Sequence, residues 1–448
     1  MKSRSLQRAS TLATLIALGA AGSAVSMASA PSMTGRTLAA STSLTTPAAA
    51  GLGVYQHAVP ASTGEASPVG GAADVEAPGT PALTPALSPS GPVDAPADTT
   101  SPASTSGSIG LWAADWGGAA SSRSSAGWEA AAQNDSILIG NARTYAPWIS
   151  KLHGWNSKVM VLVYDLGPYL QKGSSDFATL QQQDPSWFAH DAHGSLINLR
   201  SFPGNYLMDM GNAGYRAWHA QQVAATVAEY GFDGAMDDSM GTAALSTGYA
   251  SGTPIDTATG QPYTDTEYLD NSVLFLNADK AALGNKYLAF NGLISGTQYE
   301  RDTDILATSN ANAGISELFL RQPTTPISSF PATSALDATL QMMSDMSAHG
   351  KALLGWTKVW VSASGSQLAK WEDYALAAYL LGKQSNSYWD FMPSKGADNT
   401  AVSYSNMKDQ LGAPVGAYTT QGSMMSRKFQ HGSVSLNTST DTGTITVT

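Results

Sequence analysis

The run AGYRAWHAQQVAATVAEYGFDGAMDDSMG (213–241) decides the fold. Its first part, 213–230, is amphipathic in the manner of a helix. Its second part, GFDGAMDDSMG, packs Asp233, Asp237 and Asp238 into six positions of an otherwise apolar, Gly-flanked stretch. A helical pattern next to a short apolar run is the mark of one helix–strand unit. Neighbouring acids at the end of a half-buried strand need a reason. A metal cage, a carboxylate on a barrel rim and a solvated turn are the three readings to separate.

Working outward, seven more short apolar runs alternate with helix-like segments. They are SIGLW (108–112), SILIG (136–140), KVMVLVY (158–164), KYLAF (286–290), GISELFL (314–320), KALLGW (351–356) and SYWDF (387–391). With FDGAM (232–236) that makes eight. Apolar runs of this length, each followed by a helical pattern, predict parallel strands covered on both faces. Eight such units predict an α/β fold, a (β/α)8 TIM barrel over 108–400. A doubly wound sheet is the competing architecture, and no Gly-rich dinucleotide-binding turn follows the first strand. After 400 the texture alternates, as in SRKFQHGSVSLNTSTDTGTITVT, which predicts a small antiparallel β appendage over 401–448.

The opening of the chain has a different character. Residues 1–30 carry Lys2, Arg4 and Arg8, then an Ala/Leu-rich run and small residues. This is the pattern of a cleaved signal peptide, with sites after Ala28 or Ala30, and it predicts a secreted or periplasmic protein. Residues 31–107 are rich in Pro, Ala, Ser, Thr and Gly, poor in aromatics, and read as a disordered linker. No later stretch reaches the ~20 apolar residues that span a bilayer, so no stable membrane insertion is expected after cleavage. Cysteine is absent, which removes disulfides, thiolate metal sites and Cys nucleophiles together. The net charge of −11 comes without a Lys/Arg-rich tract, so nucleic acid is not an expected partner.

In a barrel of this kind, chemistry collects at the carboxyl ends of the strands. The fourth strand ends in Asp237 and Asp238, and the sixth carries Glu317. The first ends in Trp112 with Asp115 and Trp116 beyond, the third in Tyr164 and Asp165, the fifth in Asn291. The seventh ends in Trp356 and the eighth in Trp389 and Asp390. Acids and flat aromatic faces in a ring are the ingredients of glycoside hydrolysis, where one carboxyl protonates the leaving oxygen and a second acts as nucleophile or base. Asp237 and Asp238 point to opposite faces of an extended strand, so only one can aim at the axis. Asp233, at the strand's beginning, reads as scaffold. An ion pair with Arg321 is the bland alternative for Glu317. The acid cluster lacks the spacing of a helix-loop-helix calcium site, and HDAHG (190–194) reads equally well as a polar turn. Nucleophile elbows, zinc-binding His-Glu-x-x-His helices and phosphate loops are missing, and the seven His residues show no spacing logic.

Several segments together resemble a known family: WNSKVMVLVYDLG, WFAHDAHGSLI, YLMDMGNAGYRAWHAQQVAATVAEYGFDGAMDDSM, GISELFL and SRKFQHGSVSLNTST. The family is the one labelled hypothetical glycosyl hydrolase 15, unrelated to the glucoamylases whose number it shares. The resemblance covers most of 108–440 and implies a (β/α)8 barrel. Ala213 stands where the family often has Pro, and Ala235–Met236 replaces a bulkier pair. The family's final motif Asp falls on Asp238 and its sixth-strand acid on Glu317. Tyr164 and Asp165 then fall where sugar hydroxyls would be contacted, and Asp209 and Asn212 shape a loop over the site. The expectation is a secreted glycoside hydrolase acting on a poly- or oligosaccharide. Asp238 is nucleophile or base and Glu317 the proton donor, while Asp237, Tyr164, Asp165, Trp112, Asp115, Asn291, Trp356, Trp389 and Asp390 bind substrate. No metal or cofactor is called for. A non-catalytic polysaccharide-binding barrel and a polysaccharide deacetylase or lyase are the rival readings.

Overall fold

The computed structural model describes residues 102, 109–115, 119–297, 299–396, 400 and 404–448. The expected signal peptide, the linker apart from Pro102, and Trp116 lie outside the described residues. Every described residue belongs to one compact unit.

Each apolar run becomes a strand, in chain order. Strands β1 (Trp112–Asp115), β2 (Ile137–Gly140) and β3 (Met160–Asp165) come first. A short antiparallel pair, β4 (Tyr169–Gln171) and β5 (Asn205–Leu207), sits in the excursion after β3. The barrel resumes with β6 (Gly234–Asp237), β7 (Tyr287–Asn291), β8 (Ala313–Ser316), β9 (Ala352–Lys358) and β10 (Ser387–Met392). All neighbours in the order β1-β2-β3-β6-β7-β8-β9-β10 pair in parallel. The ring closes through a parallel bridge between Leu111 and Trp389, whose N–H donates to Gly110 O at 2.9 Å.

Helices α1 (Ser125–Asn134), α2 (Ala142–Tyr145), α3 (Ile149–Trp155) and α4 (Ser175–Gln183) occupy the first half. Helices α5 (Ala213–Tyr230), α6 (Asp265–Leu283), α7 (Tyr299–Leu306), α8 (Thr333–Ala348) and α9 (Gly365–Gly382) precede β6, β7, β8, β9 and β10 in turn. Local chemistry sets their ends. Asn212 accepts from Gly214 N and Tyr215 N to start α5, and Gly231, at φ 77°, ends it in the left-handed conformation that glycine tolerates. Thr264 and Glu267 form a reciprocal capping box on α6. At the opposite end of the barrel from the rim acids, Asp233 accepts from Val161 N at 2.8 Å and bonds His153 at 2.9 Å, a scaffold role.

Strand alternation sorts the core into two layers. Residues such as Leu162, Met236, Ala289, Ile315 and Leu354 fill the barrel interior. Their neighbours, among them Val163, Ala235, Phe290, Leu353 and Trp389, pack outward under the helices.

The appendage is a four-stranded antiparallel sheet: β11 (Thr419–Gln421), β12 (Met424–Phe429), β13 (Gly432–Asn437) and β14 (Thr442–Val447). It packs on α9. The Arg427 guanidinium donates to the carbonyls of Leu381 (2.9 Å), Lys383 (2.7 Å) and Leu380 (3.3 Å), which satisfies the end of that helix. Replacing Arg427 by Met removes charge-assisted bonds to half-buried carbonyls and is expected to cost about 2 kcal/mol in urea unfolding. Unchanged stability would mean that the sheet does not pin α9.

Candidate active site

The C-terminal mouth of the barrel is built by the residues one step past the strand ends, on the inward phase. Asp238 follows β6 and Glu317 follows β8, and both are half-buried. The run GISELFL was expected to be strand throughout, but β8 stops at Ser316 and the chain turns, with Leu320 at φ 70°. Glu317 therefore stands at the rim and avoids the cost of a carboxylate in mid-strand. Ser239, next to Asp238, is likewise left-handed at φ 63°. Left-handed residues that are not glycine cost about 1–3 kcal/mol each and concentrate at functional sites.

Three donors converge on Asp238. Tyr164 Oη donates to Oδ2 at 2.8 Å, and Asn291 Nδ2 and Ser239 N each donate to Oδ1 at 2.8 Å. The same Asn291 nitrogen donates to Glu317 Oε2 at 3.0 Å. Carboxylates only accept, so the amide nitrogen must face both. Glu317 Oε1 accepts from Lys358, whose ammonium lies 4.5 Å from the Trp356 ring centre and 4.7 Å from that of Trp360. Lys358 is thus a buried cation held between two indoles and a carboxylate. Glu317 does not pair with Arg321, which instead donates to Thr325 O and stacks on Trp371.

Trp112 packs edge-on to Trp356 at 5.7 Å. Asp390 shares the inward phase of β10 with Tyr388 and Met392. Tyr164, Asp238, Asn291, Glu317, Trp112, Trp356 and Asp390 are therefore brought together at one mouth.

Four expected substrate contacts point elsewhere. Asp237 is fully buried on the outward phase of β6, under the helices. Asp165, also outward, bonds His219 at 2.9 Å and accepts from Gly167 N. Asp115 caps the turn after β1 by accepting from Ala120 N at 2.7 Å. Trp389 is buried in the outer layer against Tyr379 and bonds Thr357. For Asp165 and Trp389 the strand end was right and the face was wrong. For Asp237 and Asp238 only one was expected to face the axis, and that one is Asp238. Asp115 ends a strand that begins at Trp112, where the run was expected to end. Asp209 accepts from Tyr263 Oη and Gly211 N in the loop before α5. Lys358 and Trp360 were missed because β9 runs two residues beyond the expected Trp356. The signal was there: Lys358 is two residues on, so it faces the same way as Trp356. HDAHG is a turn, closed by Asp191 accepting from His193 N and Ser195 N.

Burial and the facing charge of Glu317 push Asp238 up to about 6, against the pull of its three donors. The repulsion is mutual, so that proton belongs to the pair. Among the described residues no group of three or more His, Cys, Asp or Glu is placed to hold a metal ion. No helix there is long and apolar enough to cross a membrane.

The model of hypothetical glycosyl hydrolase family 15 matches residues 153–433, more than half of the chain. No curated protein matches. Among solved structures, Ega3 of Aspergillus fumigatus, in complex with galactosamine, aligns at 13% identity and TM-score 0.41, over 68% of this chain and 98% of that one. The noncanonic maltogenic α-amylase AmyB of Thermotoga neapolitana aligns at 10% identity and TM-score 0.43, over 74% of this chain and 86% of that one.

Asp238 binds its proton more tightly folded than unfolded, so its ionisation costs stability. The cost grows as pH rises from about 4 to about 6 and is constant above. Asp238→Asn is therefore expected to raise stability at pH 7.5 by up to ~3 kcal/mol and to change it little at pH 4. Denaturant melts at the two pH values check this, and an equal shift at both would contradict the assigned ionisation.

Proposed function

The chain belongs to the hypothetical glycosyl hydrolase family 15, and from that premise we propose that it hydrolyses O-glycosidic bonds of a poly- or oligosaccharide with Asp238 and Glu317 as its two carboxyls. The observation that carries the reading is the shared amide of Asn291. One nitrogen touches an oxygen of each carboxyl, so those two oxygens lie no further apart than the sum of 2.8 and 3.0 Å. The ~120° spread of a planar amide's two N–H bonds puts them about 5 Å apart. A separation near 5–5.5 Å fits retention, while inversion needs about 6.5–9.5 Å to admit a water between the carboxyls.

The roles follow from the surroundings. Asp238 receives donors on both oxygens, an arrangement that holds a nucleophile in place. It attacks the anomeric carbon as the glycosidic bond breaks, and forms a covalent glycosyl ester. Glu317 carries the pair's single proton to the leaving oxygen. It then takes a proton from the water that cleaves the ester. Trp360, half-buried, offers apolar surface for a sugar face, while Trp112 and Trp356 are buried and pack the wall beside Lys358. The basic, then apolar, then small-residue start of the chain supports export.

Digestion of a polysaccharide panel with mass-spectrometric readout identifies the substrate. Asp238→Asn and Glu317→Gln are each expected to lower kcat/KM at least ~1000-fold with the thermal transition intact. Proton NMR of the first-formed product is expected to show the anomer of the cleaved bond. Saturable glycan binding without product would instead make this a binding module, and the opposite anomer would exclude the ester.

Because the pair must hold one proton, kcat/KM is expected to fall as pH rises past about 6. Lys358→Met removes a cation that favours the ionised pair, so it is expected to move that limb to higher pH. A limb that stays in place would separate Lys358 from the acid.

A further inference from the structure

Strands β3 and β6 each end in a dipeptide split by the sheet. Tyr164 and Asp238 face the mouth, and their chain neighbours Asp165 and Asp237 face the helices. Behind the sheet these two acids join His219 of α5 and Asp279 of α6 in one buried group. His219 Nε2 lies 2.9 Å from Asp165 Oδ1, and Nδ1 lies 3.1 Å from Asp279 Oδ1. Each ring nitrogen faces a carboxylate, so a neutral ring would aim a lone pair at an anion. Both nitrogens must donate, and the ring is an imidazolium. Neither oxygen of Asp237 receives an N–H or hydroxyl donor. Burial and the facing charge of Asp279 push the Asp237 carboxyl well above the ordinary carboxylate range.

The surroundings are apolar: Phe275 of α6 lies 4.4 Å from the His219 ring and Tyr215 of α5 5.9 Å. Buried ionic groups of this kind are weak contributors to stability, and a well-packed apolar set often does as well. Their connections suggest a different use. Asp165 Oδ1 also accepts from Gly167 N at 2.9 Å, and Asp165 O accepts from Asp238 N at 3.0 Å. Gly167, at φ 61°, lies so close that a Cβ there would stand 2.2 Å from Asp238 O.

We propose that His219 is a positioning residue for the hydrolytic site. Held as a cation between Asp165 and Asp279, it fixes the two strand ends from behind, so that Tyr164 and Asp238 keep their aim into the mouth. The proposal rests on the reading that Asp238 is the nucleophile. Among the described residues, the titratable groups around the ring are Asp165 from β3, Asp237 from β6, Asp279 from α6 and Tyr215 from α5.

Nitrogen-15 NMR of the intact protein tests the charge, with both ring nitrogens of His219 expected to be protonated at pH 7. One unprotonated nitrogen would overturn the proposal, even if no variant folded. His219→Gln tests the aim. Carbon-13 NMR of the Asp carboxyls, assigned against Asp238→Asn, is expected to show the Asp238 midpoint displaced from about 6, because its burial, its approach to Glu317 and its bonds from Tyr164 and Asn291 all depend on its position. On the substrate found by the panel, kcat is expected to fall ~10- to 100-fold with KM within about twofold. A folded His219→Gln protein with the midpoint and kcat of the parent would overturn the proposal. The NMR readouts need no substrate, so a failure of the glycosidase reading would show in the panel digestion alone.

Discussion

A parallel strand presents successive side chains to opposite faces, and the site depends on that constraint at two strand ends. Tyr164–Asp165 and Asp237–Asp238 each send one residue into the barrel mouth and one under the helices. The sheet therefore separates two acidic groups a few ångströms apart in the chain and gives them different solutions to the same electrostatic problem. Inside the mouth, Asp238 and Glu317 share the Asn291 amide, Glu317 also accepts from Lys358, and both acids are half-buried. Behind the sheet, where little solvent reaches, Asp165 and Asp279 each bond a ring nitrogen of His219, and burial pushes the Asp237 carboxyl well up. Only the first group remains free to exchange protons with a ligand.

The mouth is not arranged for stability. Asp238 is ionised at a cost, with left-handed Ser239 directly after it, and Leu320 in the same conformation follows Glu317. The surrounding barrel compensates with an interior filled by alternating large and small apolar residues and an outer layer closed by large aromatics. Strain gathered at the mouth and relieved elsewhere is the pattern of a site selected for its geometry.

The eight strands were legible because an apolar run buried on both faces leaves a strong compositional trace. The face of each rim residue was harder to read. Alternation was applied to Asp237 and Asp238, and there it leaves one of the two for the mouth. Applied to Trp389 and Asp390 or to Tyr164 and Asp165, it would have sent one of each pair outward as well. Glu317 was misplaced in mid-strand because Phe319 and Leu320 are apolar for turn packing, which composition cannot distinguish from strand. His219 showed no pattern among seven scattered histidines, yet it lies four residues from both Tyr215 and Val223, on the buried face of α5. A histidine on that face needs partners, and those partners come from distant segments, so no local window could reveal them.

Charge balance in the mouth gives Lys358 a further significance. Among the described residues Asp238, Glu317 and Asp390 face inward with Lys358 beside Glu317, so three acids and one cation share this end of the barrel. Cleavage of a glycosidic bond develops positive charge on the sugar ring, which that field favours. A lysine left free to point at the ring would oppose it. Lys358 is held to the side by Glu317 and by the faces of Trp356 and Trp360. Its charge therefore acts mainly on the acid and little on the ring. The two indoles thus hold the Lys358 ammonium beside Glu317.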